Sequence, residues 1–207
     1  AGIDSEMWVN SATSGEWTVK SPQSQKEKVI TKLRPHIARL YTRMLKTENP
    51  VLHSPALFSS NWVKQINRSD ADIVKLHWLG SEMLSIADIA RIRKPIVWTL
   101  HDMCAFCGAE HYTENSRWRE GYSKTNRPDH ESAWDINRST WLRKKKHWVA
   151  RMQFVTPSRW LSSCVRDSKL LCEHSVVTIP YAIDVGAWEP LEKDLARELL
   201  GLPREIP

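Results

Sequence analysis

From Asp72 to Leu200, short apolar runs suited to buried strands alternate with segments of helical spacing, and this alternation restricts the fold more than any other feature of the chain. Asp72-Ile-Val-Lys-Leu-His77 is the first compact strand, and helical spacing follows over Ser81–Arg93. Pro95-Ile-Val-Trp-Thr-Leu100 is the strongest strand; its proline, lacking an N–H, fits only a first position or an edge. A polar loop runs from His101 to Ser132, long enough to hold function or a hidden short element. Ala133–Arg151 reads as a helix with Trp134, Trp141 and Trp148 on one stripe, joined by Leu142, Val149 and Met152, and with Arg143, Lys144 and Lys146 off it. Strand Gln153–Thr156, helix Arg159–Lys169, strand Val176–Ile179 and helix Lys193–Leu200 complete the series. Upstream lie a strand-like Ile3–Val9, a helix over Ser24–Lys46 divided at Pro35, a loop over Asn49–Ser60, and a short helix Trp62–Asn67 capped by Asn61.

Such alternation predicts an α/β fold: a Rossmann-like, doubly wound parallel sheet with helices on both faces. In that architecture ligands meet the carboxyl ends of the strands. The polar residues expected there are His77 and Trp78, then His101 and Asp102, then Ser158 and Arg159, then Tyr181 and Asp184. His101 at its strand end can meet a sugar hydroxyl or a developing charge, His77 and Trp78 can serve a sugar ring or simply belong to the core, and Asp102 can orient His101 or cap the next segment.

Several other chemistries lack their groups. No GxGxxG, no P-loop and no GxSxG is present. Cys104-x-x-Cys107 stands alone, without the second pair that a structural zinc site needs, so no metal is expected. No apolar run reaches the roughly 18 residues of a membrane span. Four cysteines without framework spacing point to a reducing, cytosolic setting. The surplus of 30 Lys+Arg over 24 Asp+Glu favours an anionic partner: a phosphate, a nucleic acid or a lipid headgroup. Arg143-Lys-Lys-Lys146 between Trp141 and Trp148 has the composition of a nucleic-acid face, but tryptophans on one helical stripe fit a core better.

Taken together, Asp72-Ile-Val-Lys-Leu-His-Trp78, Lys94-Pro-Ile-Val-Trp-Thr-Leu-His-Asp-Met103, His111-Tyr112, Val155-Thr-Pro-Ser-Arg-Trp-Leu161 and Val177-Thr-Ile-Pro-Tyr-Ala-Ile-Asp184 resemble the amino-terminal domain of family 4 glycosyltransferases of the exopolysaccharide- and lipopolysaccharide-assembling kind. The resemblance implies half of a GT-B fold. This half would take the acceptor, and a carboxy-terminal domain would bind the nucleotide-sugar and its diphosphate. It implies retaining hexosyl transfer, usually without a metal, with His101 against the donor sugar and His77, Trp78 and Arg159 lining the cleft. Lys75 stands where the family usually has histidine, Tyr181-Ala182 where it has Asn-Gly, and Cys104 and Cys107-Gly-Ala-Glu110 where it has Trp and Thr-Gly-Gly-Cys.

On this reading residues 1–190 form the partial domain and 191–207 begin a linker toward the second, with the family's first strand and Gly-rich loop expected before Ile3. The expected partners are a nucleotide-sugar donor, as substrate rather than cofactor, and a glycan or lipid-linked acceptor. No nucleic acid is expected. An anionic membrane surface is a further expected partner, placing the chain in the cytoplasm or on the inner face of the membrane. The alternatives are a non-enzymatic module that binds nucleic acid or membrane through the basic Trp-bearing helix, and an inactive gene fragment.

Overall fold

The computed structural model describes residues 2–149 and 152–203. The elements in chain order are β1 (Met7–Trp8), β2 (Val19–Lys20), α1 (Gln25–Thr42), β3 (Leu45–Lys46), α2 (Trp62–Arg68), β4 (Val74–Leu76), α3 (Ile86–Ala90), β5 (Ile96–Thr99), α4 (Arg117–Glu120), β6 (Ser132–Ala133), α5 (Ile136–His147), β7 (Gln153–Thr156), α6 (Arg159–Asp167), β8 (Ser175–Thr178) and α7 (Lys193–Leu199). The fold is mixed α/β. Its centre is a four-stranded sheet in the order β4-β5-β7-β8, all neighbours parallel. The predicted strands of this sheet all form, because β-branched and aromatic side chains suit a pleated surface packed on a core. Pro95 sits just ahead of β5, where its carbonyl still accepts from the Val74 N–H at 2.9 Å.

The register divides the side chains between two faces. Leu76, Trp98 and Phe154 share one face and are buried, and the crossover helices pack there. Ser162 of α6 bonds Thr156 and Thr178 at 2.6 and 2.7 Å, and Trp148, just after α5, meets the Trp98 ring edge-on at 5.3 Å. On the other face Lys75, Ser175 and Val177 are exposed. Thr99 and Val155 at the centre of that face are nonetheless buried, so only its edges are open. These strands follow one another in chain order, and right-handed crossovers between them return to the same side.

Local departures have local causes. Over 81–93 helix forms only as α3, since Ser81 and Glu82 take positive φ, and the helix starts at the Ser85–Asp88 capping box. Helix α1 runs unbroken through Pro35 and stops before β3, which pairs antiparallel with β6. Asn61 makes no side-chain cap for α2; its amide donates instead to Glu27 at 2.8 Å. The long loop does hold a hidden element, α4. The first strand-like stretch forms only β1, paired with β2 apart from the main sheet.

The helix predicted over 133–151 forms over 136–147, and Ala150 and Arg151 lie outside the described residues. Its expected stripe is also corrected. Trp141 and Trp148 are buried, but Trp134, Leu142 and Val149 are exposed, while Lys144 is 2% exposed. The basic run is therefore no continuous face: Arg143 donates to the carbonyls of Pro55 and Ala56, and Lys144 points inward. Of the segment predicted as a linker, α7 buries no residue, and residues 204–207 lie outside the described residues. Among the described residues, no helix is long and apolar enough to cross a membrane.

Candidate functional site

Parallel pairing brings the carboxyl ends of β4, β5, β7 and β8 to one edge of the sheet. His77 follows β4 and His101 follows β5, so neighbouring strands place the two imidazoles 3.1 Å apart, Nδ1 of His77 to Nε2 of His101. Tyr181, past the end of β8, reaches back to Nδ1 of His101. The three rings form one hydrogen-bonded chain. Neutral rings satisfy it when the Tyr181 hydroxyl donates to His101 and His101 Nε2–H donates to His77, leaving His77 Nε2–H free for a ligand. Burial, with Lys75 and His101 nearby, pushes the His77 pKa below its ordinary value and keeps that ring uncharged. Tyr112 fixes the backbone from the other side, its hydroxyl donating to the His101 carbonyl at 3.0 Å.

Asp102 belongs to a second group beneath this chain. The loop after β5 turns back on itself, Met103 N–H donating to the His111 carbonyl, and so returns His111 to the strand end. Asp102 accepts from the Cys104 N–H at 2.9 Å with one oxygen and meets His111 Nδ1 at 2.5 Å with the other. His111 Nε2 bonds Ser54 at 2.8 Å. The Trp78 indole lies tilted across His111, ring centroids 5.8 Å apart. It can fold there because position 80 is glycine: a Cβ on Gly80 would fall 2.2 Å from the indole. A small cavity of about 50 Å³ opens among His77, Trp78, His101, Asp102 and His111. A larger one, about 390 Å³, lies between α1 and the 47–55 loop, with Ser54 common to both.

Burial opposes a charge on His111, but Asp102, with Cys104 beside it, outweighs burial and lifts the pKa to about 10. The imidazolium–carboxylate pair is thus the form present at neutral pH. An unfolded histidine titrates near 6.5, so the pair's stabilisation is complete below that pH and is lost as pH rises through about 10. Urea unfolding across that range is expected to show the wild type losing its advantage over His111→Gln as pH rises. A difference that stays flat from pH 6.5 to 10 would show that no charged pair forms.

Asp102, Cys104 and His111 each offer a ligand atom, all within 4.8 Å of one another. An ion could use these donors only after His111 gives up the proton that pairs it with Asp102, so the ion pair and a bound metal exclude one another. Cys107 lies outside this group, buried, its thiol pushed up by burial and by Glu110. The Cys-x-x-Cys spacing therefore does not make a ligand pair here.

Among the eight expected site residues, His77, Trp78, His101, Asp102 and Tyr181 are brought together. Ser158 is occupied as the cap of α6, accepting from the Leu161 N–H. Asp184 accepts from Gly186 and Ala187 in an exposed turn, and Arg159 is exposed. None of these three bonds to the cluster among the described residues. His111, Ser54 and Cys104 are site neighbours that strand-end reasoning passes over. His111-Tyr112 was visible in the resemblance, but nothing in its spacing says that the loop folds back. Comparison with family models, with curated proteins and with solved structures finds no match for the chain.

Proposed function

We propose that this chain is the acceptor-side domain of a retaining, nucleotide-sugar-dependent glycosyltransferase of the GT-B type, transferring a hexosyl unit to a glycan or lipid-linked acceptor. The supporting observation is the chain of rings at the sheet's carboxyl edge, His77–His101–Tyr181, built from three strand ends. Polar groups in that position can hold hydroxyls in a fixed geometry, and the half-exposed Trp78 indole offers a flat apolar surface beside them. His101 contacts the donor sugar in this reading, His77 donates through Nε2, and Tyr181 fixes the His101 tautomer. Asp102 acts through His111 and the loop rather than on the sugar. The Rossmann-like reading of the sheet belongs to the same proposal.

Transfer also needs cationic or dipolar groups at the departing diphosphate. The resemblance assigns these to a second domain, so the 207 residues alone are expected to transfer nothing. The test is a donor screen on the protein that carries this domain in its source, with His101→Ala beside it. Transfer with retained anomeric configuration is expected, falling about 100-fold or more in the variant, the scale of one lost positioned polar group. Equal rates would remove His101 from the site. No transfer from any nucleotide-sugar by the native protein would overturn the reading.

A further inference from the structure

Helix α1 is inside out. Val29, Leu33, Ile37, Leu40 and Met44, spaced by four, four, three and four residues, form one row along the helix and its end, and all are 49–61% exposed. Ile30 widens the row to an apolar sector of about 100°. Toward the protein the helix turns Thr31, Pro35, Ala38 and Thr42, small or polar residues of which Ala38 alone is buried. Five aliphatic side chains thus stand in water where a helix serving only its own core would carry charge.

A second row explains which surface this suits. Each of the five is preceded by a lysine, an arginine or a histidine: Lys28 before Val29, Lys32 before Leu33, His36 before Ile37, Arg39 before Leu40, Arg43 before Met44. All five are exposed, and among the described residues none pairs with a carboxylate. The acidic residue of the helix, Glu27, faces the body and is bonded to Asn61 and Ser24. A basic row beside an aliphatic row matches a surface that is anionic at its outside and hydrocarbon beneath. A second copy of the helix would oppose like charges, and a nucleic acid would leave the aliphatic row in water.

We propose that α1 lies in the plane of an anionic lipid bilayer, its aliphatic row among the acyl chains and its basic row at the headgroups. At 18 residues it is about 27 Å long, which suits lying on the surface. The inference rests on α1 alone and is independent of the glycosyltransferase reading.

The test is sedimentation of the full chain with phosphatidylcholine vesicles, with and without phosphatidylglycerol, at low and high salt. Binding to the anionic vesicles is expected to exceed binding to the neutral ones by at least about tenfold and to weaken with salt. Leu33→Ser/Ile37→Ser/Leu40→Ser should lose at least about tenfold in binding while keeping its circular dichroism, because these side chains support no core. Lys28→Glu/Lys32→Glu/Arg39→Glu should abolish the anionic preference. Equal binding to both vesicles, or undiminished binding by the serine variant, would overturn the proposal. So would a chain that ignores vesicles but dimerises in a manner the serine variant abolishes, since the face would then belong to a second copy.

Discussion

Lys144→Met is expected to destabilise the protein by about 3–5 kcal/mol, because it strands two or three buried carbonyls at roughly 1–3 kcal/mol each. Lys144 enters the core from α5 and donates its ammonium to the carbonyls of Cys104, Cys107 and Gly108, the last two at 3.1 and 2.6 Å. The Trp148 ring lies 5.6 Å from the nitrogen and adds a cation–π contact. Methionine keeps the apolar stem but supplies no donor. The turn released is the one that carries Cys104 and leads to His111, so the site loosens with the fold. Urea titration of the variant beside Lys145→Met checks this, since Lys145 is exposed and its loss should stay within about 0.5 kcal/mol. Equal losses at both positions would refute the role assigned to Lys144.

Arg117→Met is expected to be as severe, about 3–5 kcal/mol, the usual consequence of removing one partner from a buried ion cluster. The Arg117 side chain is 1% exposed, pairing with Glu131 at 3.3 Å and Asp135 at 2.7 Å. It also donates to the Ser123 carbonyl and stacks 4.5 Å from the Tyr122 ring. Glu131 is held above the usual carboxylate range by burial, with Arg117 pulling the other way. Without the guanidinium Glu131 keeps only the longer Arg127 contact at 3.8 Å and the Asn137 amide at 3.0 Å, so burial pushes it further toward the protonated form. The loss should therefore be smaller at pH 5 than at pH 8, and Arg117→Met/Glu131→Gln should cost less than the two single changes added together. Additive losses would show that the pair is not coupled.

Both residues show why part of this protein could be read in advance and part could not. The strands of the main sheet are legible in Asp72–His77, Pro95–Leu100, Gln153–Thr156 and Val176–Ile179, because each is a local run of residues that suit a pleated, packed surface. Parallel pairing follows from the helices between them. That in turn places His77, His101 and Tyr181 at one edge before any coordinate is known.

No period or spacing marks Lys144 or Arg117 as buried: Lys144 lies off the tryptophan stripe in a basic run, and Arg117 lies in the polar loop. Their burial depends on carbonyls and carboxylates that a loop of about 30 residues delivers from elsewhere in the chain. Gly108 is similar: a Cβ there would fall 2.6 Å from the Asn137 backbone, a contact known only once loop and helix are docked.

Sequence alone determined the alternation, the strands of the main sheet and the edge at which the imidazoles meet, since these follow from short-range pattern and the geometry of parallel strands. Tertiary structure decided that the crossover helices share one face, that His111 pairs with Asp102, that Lys144 points inward and that the apolar row of α1 points out. Each of these depends on where a distant segment packs, and burial and charge pairing are set by those non-local contacts.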